Sequence, residues 1–90
     1  MSRYELVVSR RAKRDLAERL PEKAAAAAWE FITGPLLDAP HRVGSPLDPP
    51  LAPAWRARRG EYRVIYLIED VKVIVEVVTV QHRRDAYRSP

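Results

Sequence analysis

The most constraining stretch of the chain is the valine-rich segment Lys72–Gln81, whose apolar residues fall on both sides of an extended strand. Val73, Val75 and Val77 are set to face one way, and Ile74, Val78 and Val80 the other. Apolar residues on both faces mark a central strand, with neighbours at its edges and cover above and below. The residues before it supply the neighbours. Trp55–Arg59 and Tyr62–Glu69 read as strands, Gly60-Glu61 joins them by a turn, and Asp70 and Val71 sit at a hairpin into the valine segment. The second half of the chain is therefore expected to be a β-meander.

The first half must cover it. Tyr4–Val8 reads as a short strand. Ser9 then stands at the N-cap of a charged stretch in which Ala12, Leu16 and Leu20 recur every four residues, stopped by Pro21. A second helix begins at once, with Pro21 or Glu22 in its first turn. It runs through Ala24–Ala28, carries Trp29, Ile32 and Leu36 on one apolar face, and is kinked or broken at Gly34-Pro35. Trp29 and Trp55 are both assigned to the core. From Ala39 to Pro53, five prolines and Gly44 make an irregular crossing. Neither side of that crossing is large enough to fold alone, so residues 1–90 are read as one domain. The order strand-helix-helix-strand-strand-strand gives an α+β fold. A small antiparallel-rich sheet would carry the helical hairpin on one face and leave its other face partly open.

Composition then narrows the chemistry. The chain has no cysteine, which excludes disulfide frameworks, zinc knuckles and thiol nucleophiles. His41 and His82 are its two histidines, too few for a typical metal site, and the carboxylates show no metal or glycosidase spacing. Phosphate-loop, dinucleotide, zinc-protease and nucleophile-elbow motifs are all absent. No metal and no cofactor is expected. No apolar run approaches the ~20 residues of a membrane span, and a signal-peptide core is missing, so a cytoplasmic, membrane-free chain is expected.

What remains is arginine. The net charge is +4, and 13 of the 16 cations are Arg, grouped toward the two ends of the chain. The planar guanidinium fork suits phosphate and carboxylate alike. Arg56 and Arg58 lie two apart on a strand and share a face, with Trp55 and Ala57 on the other. Arg63 lies across the Gly60-Glu61 turn, near Arg58, and Arg83 and Tyr87 follow the last strand. Several cations converging on one groove, with an aromatic ring for a base, is what RNA recognition needs. Arg10, Arg11 and Arg14 form the solvated side of the first helix, where an acidic partner could use them.

The segment Trp55–Tyr87, with its GxYRxxY block (Gly60–Tyr66) and its downstream RRxxY (Arg83–Tyr87), resembles the RelE/ParE family of bacterial toxins from type II toxin–antitoxin systems. Within that family it is closer to the RelE-type mRNA interferases. The opening strand, the Arg10–Leu16 stretch, Leu20-Pro21 and the crossover Gly34–Leu47 are similar to the family as well, so the likeness covers nearly the whole chain. The resemblance implies a ribosome-dependent, metal-independent endoribonuclease that cuts mRNA in the A site by attack of the message's own 2′-OH. Carried over by position, Arg56, Arg58, Arg63, Arg83 and Tyr87 are its catalytic and RNA-binding residues. Arg10, Arg11 and Arg14 are assigned to ribosomal RNA or antitoxin contact. The implied partners are a cognate antitoxin in a hetero-oligomer, the ribosome with its mRNA, and operator DNA indirectly through the antitoxin. One departure concerns the general base. Where RelE-type enzymes often carry a lysine pair, this chain has Ala54 and Arg56, and an arginine with pKa above ~12 is a poor proton acceptor. His82 is the substitute candidate. A ParE-like gyrase poison and a non-catalytic, antitoxin-binding member are the alternative readings on the same fold.

Overall fold

The valine strand lies inside a five-stranded sheet in the computed structural model, which describes residues 3–86 and their side chains as far as Arg84. The strands are β1 (Glu5–Val8), β2 (Ser45–Pro46), β3 (Trp55–Arg59), β4 (Tyr62–Glu69) and β5 (Ile74–His82), and their order across the sheet is β1-β5-β4-β3-β2. β1 pairs with β5 in parallel, from Glu5↔Ile74 to Val8↔Val77, and the other pairs are antiparallel. β1 therefore covers only the first half of β5's edge.

The second half of that edge is satisfied by side chains. Ser9 caps α1 (Arg10–Arg14): its Oγ accepts the Ala12 N–H at 3.0 Å and donates to the Val78 carbonyl at 2.6 Å. α1 passes into a π-helical turn, Asp15–Arg19, instead of running on as a regular α-helix to Leu20. Asp15 opens that turn and is 2% exposed. Its Oδ2 accepts the Thr79 hydroxyl at 2.6 Å and the Val80 N–H at 3.0 Å. The carboxylate thus stands in for the strand partner that β1 no longer provides, meeting the rule that buried backbone donors are paired.

α2 (Glu22–Thr33) crosses one face of the sheet and breaks at Gly34, where Pro35 opens the short α3 (Pro35–Asp38), as the Gly-Pro pair predicts. Its buried stripe is Ala24, Ala28, Phe31 and Ile32, packed over Ala57, Tyr62, Val64, Tyr66, Val75 and Val77 of the sheet. Trp29 lies on the flank of that stripe and is 45% exposed, which corrects its assignment to the core. Trp55 is half-buried, its ring 6.5 Å from Tyr66 and 5.3 Å edge-on to His41.

Three further features depart from the sequence reading. The turn after β4 takes in Asp70–Val73, and Val73 has φ +56°, so it belongs to the turn and not to the strand face with Val75. β5 carries a bulge: Ile65 pairs with Thr79 and Tyr66 with Val77, leaving Val78 unpaired. The bulge turns Val80 and His82 onto the helix face with Val75 and Val77, where alternation alone places them opposite. The crossing Ala39–Pro53 also contributes β2, two residues that extend the sheet beyond β3. On the face away from the helices Ile74 and Val78 are only half-buried, so β5 is fully covered on one side alone.

Candidate nucleic-acid interface

Strand register assembles the site. Arg58 pairs with Arg63, and Arg63 pairs with Gln81, so the three side chains form one row across β3, β4 and β5. Their face is opposite to that of Ala57, Tyr62 and Val64, which pack against α2. Gly60, at φ +52°, makes the tight turn that lets β4 fold back and set Arg63 beside Arg58. Arg83 joins from the end of β5, where its backbone N–H donates to the Glu61 carbonyl at 2.7 Å and starts α4 (Arg83–Ala86) over the β3–β4 turn. Arg58, Gly60, Arg63 and Arg83 together line a shallow hollow of about 470 Å³.

The electrostatics of that hollow are unbalanced. Like charges placed directly opposite on neighbouring strands repel. Among the described residues, no carboxylate lies within ion-pair distance of Arg58, Arg63 or Arg83; the ion pairs join Arg3 to Asp38, Arg19 to Asp15, His41 to Asp70 and His82 to Glu61. Arg63 Nε is buried with no hydrogen-bond partner among the described groups. A buried donor left open costs roughly 1–3 kcal/mol.

The remaining sequence candidates separate. Arg56 pairs with Ile65, two residues along β3 from Arg58, and lines a neighbouring hollow instead of the first one. Arg10, Arg11 and Arg14, with Arg19, line a third hollow of about 590 Å³ that shares no residue with the other two. Tyr87 lies outside the described residues. His82 does not stand beside the arginines. It pairs with Tyr62 on the helix face, is 9% exposed, accepts the Arg84 N–H on Nδ1 at 3.3 Å, and holds Nε2 3.7 Å from Glu61 Oε1. The bulge at Val78 is the physical reason: it puts Gln81, not His82, in the arginine row. Gln81 is thus the residue that alternation misses. Ala54 offers no side-chain acceptor and uses its backbone to close the loop, donating to Leu51 and accepting from Leu47.

The structure also shows an apolar hollow of about 370 Å³ between α1 and α2, lined by Val8, Lys13, Leu16, Ala17 and Trp29. Among the described residues, no helix is long and apolar enough to cross a membrane, and no group of three His, Cys, Asp or Glu side chains is placed to hold a metal ion.

Comparison with known proteins agrees with this architecture. The chain is 48% identical over 85 residues to the toxin RelE of Mycobacterium tuberculosis, covering 94% of this chain and 87% of the relative. It is 47% identical over 77 residues to the toxin RelG of the same organism, covering 86% and 87%. The crystal structure of the toxin–antitoxin complex RelBE2 from Mycobacterium tuberculosis contains a chain that superposes with a TM-score of 0.87 at 42% identity, over 92% of this chain and 94% of that one. The family model described as ParE toxin of type II toxin–antitoxin system, parDE, matches residues 6–87. A match over nearly the whole length, on a sheet with these strands and this helical cover, means that the chain belongs to the ParE toxin family of type II toxin–antitoxin systems.

Proposed function

We propose that the chain is a ribosome-dependent endoribonuclease of the RelE type, acting in the cytoplasm on mRNA in the A site. The observation that supports this reading is the cluster of Arg58, Arg63 and Arg83 around one hollow, with no carboxylate in ion-pair distance and Arg63 Nε without a hydrogen-bond partner among the described residues. In the reaction O2′ of the message attacks the adjacent phosphorus and loses its proton to solvent. The new O2′–P bond forms as the P–O5′ bond breaks, leaving a 2′,3′-cyclic phosphate and a 5′-oxygen that takes up a proton. Negative charge grows on the phosphorane, and Arg58 and Arg63 are set to neutralise it without reorganising. Arg83 stabilises the leaving 5′-oxygen. Gln81 offers an amide N–H to a phosphate oxygen, and Tyr87 takes the role of stacking on the scissile nucleotide. Catalysis in this reading rests on charge stabilisation and orientation, since neither Arg56 nor Ala54 can take a proton and His82 faces the helices.

The partner is a cognate antitoxin, in line with the complex named for the structural relative. Its apolar side chains would fill the groove beside Trp29 and its acidic groups meet the arginines, Arg10, Arg11 and Arg14 among them, which serve as a ribosomal RNA contact when the antitoxin is absent. Operator DNA is reached through the antitoxin.

The test is in-vitro translation with the purified chain, followed by primer extension on the message. Codon-spaced 5′-OH ends that vanish in Arg63→Ala, Arg83→Ala and Tyr87→Ala are expected. The family description parDE supports one other reading, a gyrase poison. Intact message together with trapped gyrase–DNA cleavage complexes would replace the first reading with that one.

A further inference from the structure

We infer that the chain holds a second RNA phosphate next to the scissile one, in a cradle formed by Arg42, Ser45 and Arg56, so that the message is gripped at two successive backbone positions. The inference rests on the RNA reading above and adds Arg42 and Ser45 to it. A hollow of about 400 Å³ lies beside the first and is lined by residues 42–45 of the crossing loop and by Arg56, Arg58 and Arg59 of β3. Arg58 lines both hollows, which makes them one continuous track.

The cradle is built, not incidental. β2 exists to pair Ser45 with Arg56, fixing the crossing loop against the edge of β3. A Cβ at Gly44 would lie 2.8 Å from the Arg56 carbonyl and collide with the Tyr66 hydroxyl, so the loop approaches as closely as glycine alone allows. Tyr66 is itself fixed, donating its hydroxyl to the Pro40 carbonyl at 2.7 Å. Arg59 fastens the same loop. It donates to the Val43 carbonyl and to the Arg58 carbonyl, each at 2.8 Å, with its guanidinium 4.9 Å from the Phe31 ring centre. Arg59 is therefore a positioning residue, while Arg42 and Arg56 have no carboxylate within ion-pair distance among the described residues.

The chemistry of the lining selects the ligand. Four arginines (Arg42, Arg56, Arg58 and the loop-fastening Arg59), a serine hydroxyl and a bare glycine backbone suit an anion carrying several acceptor oxygens. Val43 is the sole apolar side chain of the lining, whereas a peptide partner needs apolar anchors in desolvated pockets. A mostly apolar hollow lies elsewhere, lined by Leu16 and Trp29 among others. A string of cations along an open strand face matches the regular charge of a single-stranded backbone.

The experiment is a cycle between Arg42 and individual phosphates, read as the single-turnover cleavage rate on programmed ribosomes. Messages carry one neutral methylphosphonate at each position flanking the scissile phosphate. Arg42→Ala is expected to slow cleavage of the unmodified message about tenfold, the worth of one charge-assisted hydrogen bond. Neutralising one flanking phosphate should slow the wild-type chain by a similar factor, and Arg42→Ala should then add nothing on that message. Arg42→Lys should recover part of the rate, and circular dichroism melting confirms that each variant is folded. Equal slowing by Arg42→Ala on every message, or no slowing at all, overturns the cradle. Weakened antitoxin binding with wild-type cleavage assigns the hollow to a peptide and overturns it too. Failure of the wild-type chain to cut the unmodified message refutes the nuclease reading itself, and that result is read without any variant.

Discussion

Arg58 and Arg63 stand directly opposite each other across β3 and β4, two guanidinium groups with no described carboxylate in reach. A fold built only for stability would not hold that pair. Cross-strand like charges cost roughly 0.2–1 kcal/mol, and the open Arg63 Nε adds to it. Arg63→Gln is therefore expected to raise the stability of the isolated chain by about 1 kcal/mol while lowering mRNA cleavage roughly 100-fold or more. Urea denaturation alongside the translation assay checks both signs. A variant that is both less stable and fully active would sink the assignment of this row to the reaction.

Asp15 illustrates the opposite economy, a charge buried for structure. Its Oδ2 holds Thr79 and the Val80 N–H where β1 has ended. Asp15→Ala leaves both donors unsatisfied in a dry setting and should cost about 3 kcal/mol, seen as a lower urea midpoint. Adding Thr79→Val removes one orphan hydroxyl and should return about 1 kcal/mol. Simple additivity of the two losses would mean that water, not Asp15, satisfies the edge of β5.

These two residues also show what could be read from the sequence and what could not. Strands β1, β3, β4 and β5, the Ser9 cap, the break at Gly34-Pro35 and the closeness of Arg58 to Arg63 all follow from local periodicity and a short turn. Asp15 looks like one more helix-surface charge, because the two groups that its Oδ2 holds lie more than sixty positions away. Trp29 fits the same apolar helix spacing as Ile32, and only the docking angle of α2 turns it outward. The bulge at Val78 leaves no local signal, since a valine run reads alike with or without an extra residue. Its effect is large nonetheless: a single inserted position exchanges the faces of Gln81 and His82 and removes the only histidine candidate from the site.

Val73 carries φ +56°, a left-handed backbone that strongly disfavours β-branched side chains. The position is held because its backbone works at both ends: its carbonyl accepts the Glu5 N–H at 2.8 Å, starting β1 on β5, and its N–H donates to Asp70 at 3.2 Å. Val73→Asn keeps those bonds and tolerates the conformation, so it should stabilise the chain by about 1 kcal/mol, with Val73→Gly close behind. Thermal melting decides. Lower stability in both variants would mean that the half-buried valine side chain outweighs the strain.

Tyr4 and Asp70 tie β1 to the β4–β5 turn, and their contact sets a pH window for stability. The Tyr4 hydroxyl donates to Asp70 Oδ1 at 2.6 Å, and His41 Nε2 lies 3.2 Å from Oδ2. The hydrogen bond from Tyr4 holds the Asp70 carboxyl below its ordinary range, with His41 adding to the effect and partial desolvation opposing it. The same bond, with lesser help from burial and from the Asp70 charge, raises the Tyr4 phenol. The signs then follow from linkage. A depressed carboxyl contributes stability above its unfolded pKa of ~4, and that contribution disappears as pH falls through the folded value. A raised phenol contributes stability below its unfolded pKa of ~10, and that contribution disappears as pH rises through the folded value. Wild-type stability minus that of Tyr4→Phe should therefore be flat through neutral pH and shrink below about pH 4 and above about pH 10. Melting temperatures of the two proteins, measured across that range, give the difference directly. Parallel profiles at both extremes would mean that the bond contributes nothing in solution.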